Sequence, residues 1–237
     1  LKCAQKKRYD MKKLLSVLFC IVFVFAGLCS CSADGIYTTE DKYFTFTECE
    51  GGYKIAANVT EDYPKTIRLP EEHNGAKVVA IEYGGFKNCV DLEKVIIPES
   101  ITKIGGDAFS GLAKLHNVNF VDNEATETVD VDFGAFSDCI ALTEINFGKK
   151  VKNVGAYAFK NTRILRAEFT LVESIGDYAF KDCSSLSYVY IPATLKAENI
   201  GELAPFYGCD KDIDFVIDEK AKENGVTLQL LVAGPIK

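Results

Sequence analysis

Histidine and methionine are nearly missing from these 237 residues: two His, His73 and His116, and a single Met, Met11. Neither histidine has a serine, cysteine or carboxylate partner at a spacing that acid–base or nucleophilic chemistry would recognise. His73 lies in the polar stretch Glu71-Glu72-His73-Asn74-Gly75, which reads as a loop, and His116 falls at an outward position of a strand. No H-E-x-x-H, G-x-S-x-G or phosphate-cradling glycine loop occurs. Nor is there a C-x-x-C pair or a histidine in register with the cysteines, so no zinc-type ligand set is present. The acidic stretch Asp122–Asp130 lacks the spaced ligands and the glycine of a calcium loop and reads as solvated surface. These absences predict a protein that is not an enzyme and uses no metal or cofactor.

Basic charge is also scarce. The chain carries 27 Lys/Arg against 34 Asp/Glu, a net charge of −7. Six of the Lys/Arg and one of the acids fall in residues 1–30, so the remainder has 21 basic against 33 acidic side chains, a net −12. Nucleic-acid recognition rests on neutralising phosphates and is disfavoured by such a surface. The sign suits an exported domain kept apart by its own charge.

The N-terminal residues carry the one long apolar run. Met11-Lys12-Lys13 followed by Leu14 to Leu28 has the charged and apolar regions of a secretory signal, with residues 1–10 read as upstream sequence. The run of about 15 apolar residues is shorter than the roughly 20 a spanning helix needs. Leu28-Cys29-Ser30-Cys31 resembles the bacterial lipoprotein box. That resemblance implies removal of residues 1–30 and lipidation of Cys31, with residues 31–42 as lipidated cysteine and tether. Acyl chains on one cysteine anchor a protein to a membrane firmly.

From residue 81 the chain repeats. Ile175-Gly176-Asp177-Tyr178-Ala179-Phe180-Lys181-Asp182-Cys183, continuing through Leu186, Val189, Ile191 and Pro192, is its cleanest copy. Aligned on phenylalanine, the copies centre on Phe86, Phe109, Phe136, Phe159, Phe180 and Phe206, in steps of 23, 27, 23, 21 and 26 residues. An aliphatic residue stands five before the first five phenylalanines, and Ile200 six before the last. The strand half reads Leu92-x-x-Val95-x-Ile97 in the first copy; the fourth fits with one deletion as Ile164-x-x-Ala167-x-Phe169, and the sixth degenerates to Phe215-x-Ile217. A period in this range marks a solenoid, whose single coils cannot bury a core alone and are stable only when stacked.

The A-F motif, the cysteine three residues later and the Ile-Pro strand end together resemble the BspA-like leucine-rich repeat proteins of bacteria, over roughly Tyr43 to Val232. The resemblance implies an α/β leucine-rich-repeat solenoid, right-handed, strand-rich, with few short helices and capped at both ends. Residues 43–80 would form an N-terminal β cap, 81–217 six repeats, and 218–237 a C-terminal cap. In that last segment Asp218 and Gly225 bound a short helix, and Val226–Leu230 is expected as a strand.

Cys89, Cys139, Cys183 and Cys209 share one repeat position and are expected as buried free thiols; only Cys183 and Cys209 sit in adjacent coils, the spacing a bridge requires. The outward strand face is the expected binding surface. Its columns are Lys94, Asn117, Glu144, Arg166, Tyr188 and Asp214, and Ile96, Asn119, Asn146, Glu168, Tyr190 and Val216. The candidate ligand-binding residues are Tyr188, Tyr190, Arg166, Glu168, Asn117, Asn119 and Asn146, since exposed tyrosine is a favoured contact residue. The family resemblance implies a surface lipoprotein acting in adhesion or protein–protein interaction, with an extracellular host-matrix or neighbouring-cell protein as partner. The alternative is a carbohydrate-binding lipoprotein of a polysaccharide uptake system.

Overall fold

The computed structural model describes residues 41–121, 127–147, 151–209 and 212–233. The signal segment, Cys31, nearly all of the tether and residues 122–126 of the acidic stretch lie outside the described residues. What is described is a strand-rich solenoid of six coils, with two short α-helices among the described residues.

The strands in chain order are β1 (Phe44–Cys49), β2 (Gly52–Ala57), β3 (Thr66–Arg68), β4 (Glu72–His73), β5 (Ala76–Ile81), β6 (Lys94–Ile97), β7 (Lys103–Ile104), β8 (Asn117–Phe120), β9 (Val129–Val131), β10 (Glu144–Asn146), β11 (Val151–Val154), β12 (Arg166–Glu168), β13 (Ser174–Ile175), β14 (Tyr188–Ile191) and β15 (Asp214–Ile217). Each of the first five coils gives one short strand to each of two walls, and the sixth gives β15 to the second wall and a single bridge, Ile200 to Ile175, to the first. One wall is the sheet β1-β2-β5-β7-β9-β11-β13, with β4 on β5. The opposite wall is divided: β3, β6, β8 and β10 form one parallel sheet, and β12, β14 and β15 another. Alternation decides the facing. In β14, Val189 and Ile191 are buried while Tyr188 and Tyr190 are half exposed, as a period of two requires.

The N-terminal segment is built into both walls. Antiparallel β1 and β2 extend the first wall through the parallel pairing of β2 with β5, and β3 runs parallel to β6 on the second. His73, read from composition as a loop residue, is in β4. Its ring stacks on Phe46 at 3.7 Å and its Nδ1 lies 3.3 Å from an Asp41 carboxylate oxygen.

Between the walls runs one column of phenylalanines. Phe86, Phe109, Phe136, Phe159, Phe180 and Phe206 stack with centroids 5.0–5.3 Å apart. Offset aromatic pairs of this kind add about 0.5–1.5 kcal/mol each beyond area burial. Backbone hydrogen bonds tie the same turns together, from each of the first four phenylalanines to the alanine that precedes the next. Phe136 N–H donates to Ala158 O and Phe159 N–H to Ala179 O, at 2.8 and 2.7 Å.

The turns around the four middle phenylalanines use left-handed backbone twice, and those around Phe86 and Phe206 once. Two residues before it, Gly84, Asp107, Gly134, Tyr157 and Tyr178 have φ of 52–61°. Two residues after it, Gly111, Asp138, Asn161, Asp182 and Gly208 have φ of 55–76°. Gly, Asn and Asp tolerate this region best; the two tyrosines are the exceptions.

The C-terminal segment departs from expectation. The helix Glu219–Glu223 forms with Asp218 as its N-cap, accepting from the Lys220 backbone N–H at 2.9 Å. Val226–Leu230, expected as a strand, instead leads into a second helix, Leu228–Val232. Thr227 explains it: its side chain accepts from Leu230 N–H at 3.3 Å, the N-cap contact that favours starting a helix. Leu231 then falls on the buried side.

Candidate functional site

The strand face positions its side chains by parallel register. Lys94, Asn117 and Glu144 are neighbours across β6, β8 and β10, and Arg166, Tyr188 and Asp214 across β12, β14 and β15. The single columns read from sequence are therefore two half-columns, with no pairing of β10 to β12. The one-residue deletion in the fourth copy accounts for the break, because a shortened coil cannot keep both of its strands in register with the coil before. Ile96, on the outward face by its register, is buried there at 4% exposed and lies outside the core cluster that holds Val95 and Ile97.

At the break lies a shallow depression of about 500 Å3. Four of the seven candidate residues, Asn117, Asn119, Asn146 and Arg166, line it, together with Lys94 and Glu144. Asn117 donates from Nδ2 to Glu144, and its own Oδ1 is buried with no hydrogen-bond partner. The Arg166 guanidinium lies 4.1 Å from the Tyr188 ring centroid and donates to Glu168 at 2.6 Å. Tyr188 and Tyr190 are half-buried, and Glu168 is exposed. The chemistry on offer is polar recognition: two cations, a carboxylate, three amides and a tyrosine face. Among the described residues, no group of three or more His, Cys, Asp or Glu is placed to hold a metal ion.

A family model described as the BspA type leucine-rich repeat region matches residues 79–211, in six copies. The chain belongs to that family. This BspA-type repeat protein also resembles solved structures. A leucine-rich repeat protein from T. pallidum superposes with a TM-score of 0.65 at 26% identity, over 75% of this chain and 80% of that one. One from Bacteroides ovatus gives 0.57 at 27% identity, over 72% and 44%. A leucine-rich cell surface protein from Faecalibacterium prausnitzii gives 0.54 at 20% identity, over 85% and 55%. The chain thus spans about half the length of the latter two, and the third likeness speaks to fold alone. No curated protein matches the chain. Leucine-rich repeat scaffolds are typically protein-binding and non-catalytic.

The five described cysteines of the BspA-type chain are free thiols. Cys89, Cys139 and Cys183 are buried and Cys209 half-buried. Burial pushes the Cys89 and Cys139 thiols up to about 12. Cys209 is also raised, first by its hydrogen bond to Cys183 and then by burial. Protonated thiols of this kind are inert.

A second feature was missed from sequence. Phe133, Tyr157, Tyr178 and Tyr207 form a row over the turns, each ring 5.6 Å from the next. Tyr83 lies nearer the start of the solenoid, its hydroxyl donating to Asp107 at 2.7 Å. The signal was available: five of the six copies carry an aromatic residue within three positions of the core phenylalanine. It was obscured because that residue moves between three, two and minus one positions ahead of it.

Proposed function

We propose that this protein is a surface-displayed lipoprotein, anchored through Cys31, that uses its strand face to bind an extracellular protein in adhesion. Several features support the reading. Proteins of the BspA-type family are typically found at the cell surface, and the N-terminal residues have the signal and lipobox pattern. The observation that carries the choice of site is the depression at the sheet break. There Asn117, Asn119, Asn146 and Arg166 come from three coils onto one surface, with Tyr188 held against the guanidinium. Tyr190 and Glu168 extend that surface along β14 and β12. A volume of about 500 Å3 is within the range of ligand sites, and mixed amide, cation and tyrosine groups suit a protein surface better than an anionic polymer.

The test is an array of extracellular-matrix proteins beside an array of glycans, probed with the wild-type chain and with a Tyr188→Ser, Tyr190→Ser double variant whose folding is checked by thermal melt. A protein hit lost in the folded variant supports adhesion through the strand face. A glycan hit lost in the same way replaces adhesion with carbohydrate capture. A hit indifferent to the tyrosines removes the strand face from the reading.

A further inference from the structure

We propose that the row Phe133–Tyr157–Tyr178–Tyr207 is a second interaction surface, independent of the strand face, and that it docks a basic polypeptide segment carrying a large apolar anchor side chain.

The first argument is conformational. Tyr157 and Tyr178 have φ of 56° and 53°, a region that bulky side chains rarely enter. The fold does not need a ring there, since Gly84 and Gly134 make the same turn at the equivalent position of other coils with φ of 59° and 61°. Two tyrosines are held in unfavourable backbone where glycine suffices, and an outlier of that kind points to function.

The second argument is the surface that results. Phe133 is 55% and Tyr207 51% exposed, so the row ends in solvent on both sides of the half-buried pair between them. Successive interplanar angles are 63°, 52° and 62°. Rings tilted against one another offer no flat shelf for a sugar chain. They form a ridge of alternating faces and edges, the geometry into which protein side chains pack.

The occupant's charge follows from what the ridge already holds. Lys181 Nζ lies 4.9 Å from the Tyr178 centroid and 5.7 Å from that of Tyr207, so these faces accept a cation. Asp107, Asp138, Asp177 and Asp182 belong to the same run of turns, on a chain of net charge −7. Lys160 pairs with Asp138 at 3.8 Å, and Asp107 and Asp177 accept from Tyr83 and the Leu203 N–H, which leaves their negative charge in place. A partner bearing arginine or lysine is complementary to that. At its C-terminal end the ridge meets an apolar cavity of about 480 Å3, which Tyr207 lines with Phe206, Cys209, Phe215, Leu228 and Val232. Such a cavity fits an aliphatic or aromatic anchor, and a carbohydrate has nothing to place in it.

The experiment measures fluorescence anisotropy with the full chain and three probes: a dodecapeptide alternating arginine and leucine, its glutamate-for-arginine counterpart, and a linear gluco-oligosaccharide. The arginine peptide is expected to bind. A Tyr157→Gly, Tyr178→Gly variant, whose glycines suit the left-handed turns, should weaken it at least tenfold. Tyr207→Ser, outside those positions, should also weaken it, while the Tyr188→Ser, Tyr190→Ser variant should change it less than twofold. The proposal is overturned if the arginine peptide does not bind or the glutamate peptide binds as well. It also fails if the ridge variants bind normally, if the strand-face variant loses as much, or if the oligosaccharide binds and the ridge variants abolish that binding.

Discussion

The thiol of Cys183 donates to the backbone carbonyl of Phe159, one coil earlier, at 3.1 Å. Cys139 does the same to Phe109, and Cys209 to Phe180, each at 3.0 Å. In the fourth coil Thr162 replaces cysteine, and its hydroxyl donates to Phe159 of its own coil at 2.9 Å. The shared position is therefore a hydrogen-bonded tie to the phenylalanine backbone, which either side chain can make.

Cys139→Ala removes both the tie and the sulfur's volume from a fully buried site, and should cost about 1–3 kcal/mol. Cys139→Thr keeps a donor and should cost less. Urea unfolding of the two variants measures the difference. Equal losses would show that the hydrogen bond contributes nothing and only the volume matters.

Alkaline pH should loosen the solenoid. Burial holds the Cys89 and Cys139 thiols near 12 when folded, against an ordinary value of 9.0. A raised folded value means that the unfolded chain releases the proton first. The stabilisation is complete below about 9 and is lost as pH rises toward about 12, at up to about 1.4 kcal/mol per pH unit for each thiol. Stability measured at pH 8 and at pH 10 should fall between the two. In a Cys89→Ala, Cys139→Ala double variant the fall should be smaller. An unchanged slope in the double variant would place the alkaline loss elsewhere.

How much of this was legible in the sequence depends on whether one period governed the residue. The Phe86-to-Phe206 column, the buried Cys139 and Cys183, and the alternation in β14 follow from a pattern repeated six times. They were readable because each copy corroborates the others. The break between Glu144 and Arg166 was not: the deletion in the fourth copy is visible, but that it parts the sheet, rather than being absorbed in a turn, is decided by three-dimensional register. Val226–Leu230 carries a strand-like composition, and the Thr227 cap overrode it. The tyrosines at 157 and 178 defied the rule that left-handed turns take Gly, Asn or Asp, which is why the row they build was not anticipated.

Two glycines of the repeat do different work, and substitution should separate them. A Cβ on Gly155 would lie 2.6 Å from the Asp132 carbonyl carbon and 2.7 Å from Phe133 N, backbone of the coil before. Gly111 has φ of +76° but nothing within 4 Å. Gly155→Ala should cost about 1–3 kcal/mol by forcing two coils apart; Gly111→Ala should cost only the conformational strain, about 1 kcal/mol. Thermal melts of both variants rank them, and a larger loss at Gly111 would refute the close-approach account of the Ile-Gly motif.

The phenylalanine column makes the chain's ends and middle energetically unequal. Phe136 has Phe109 on one side at 5.1 Å and Phe159 on the other at 5.3 Å, whereas Phe206 has a column neighbour only in Phe180, at 5.0 Å. In a solenoid, stability is approximately the sum of coil terms and nearest-neighbour interfaces, so emptying a middle position weakens two interfaces and emptying the last weakens one. Phe136→Ala should cost about 3–5 kcal/mol and lower hydrogen-exchange protection on both sides of the third coil. Phe206→Ala should cost less and lose protection only from about Ile200 onward, leaving β6 and β8 as protected as before. Loss of protection spread evenly through the chain in the Phe206 variant would mean that the coils unfold as one unit and that the nearest-neighbour description fails for this solenoid.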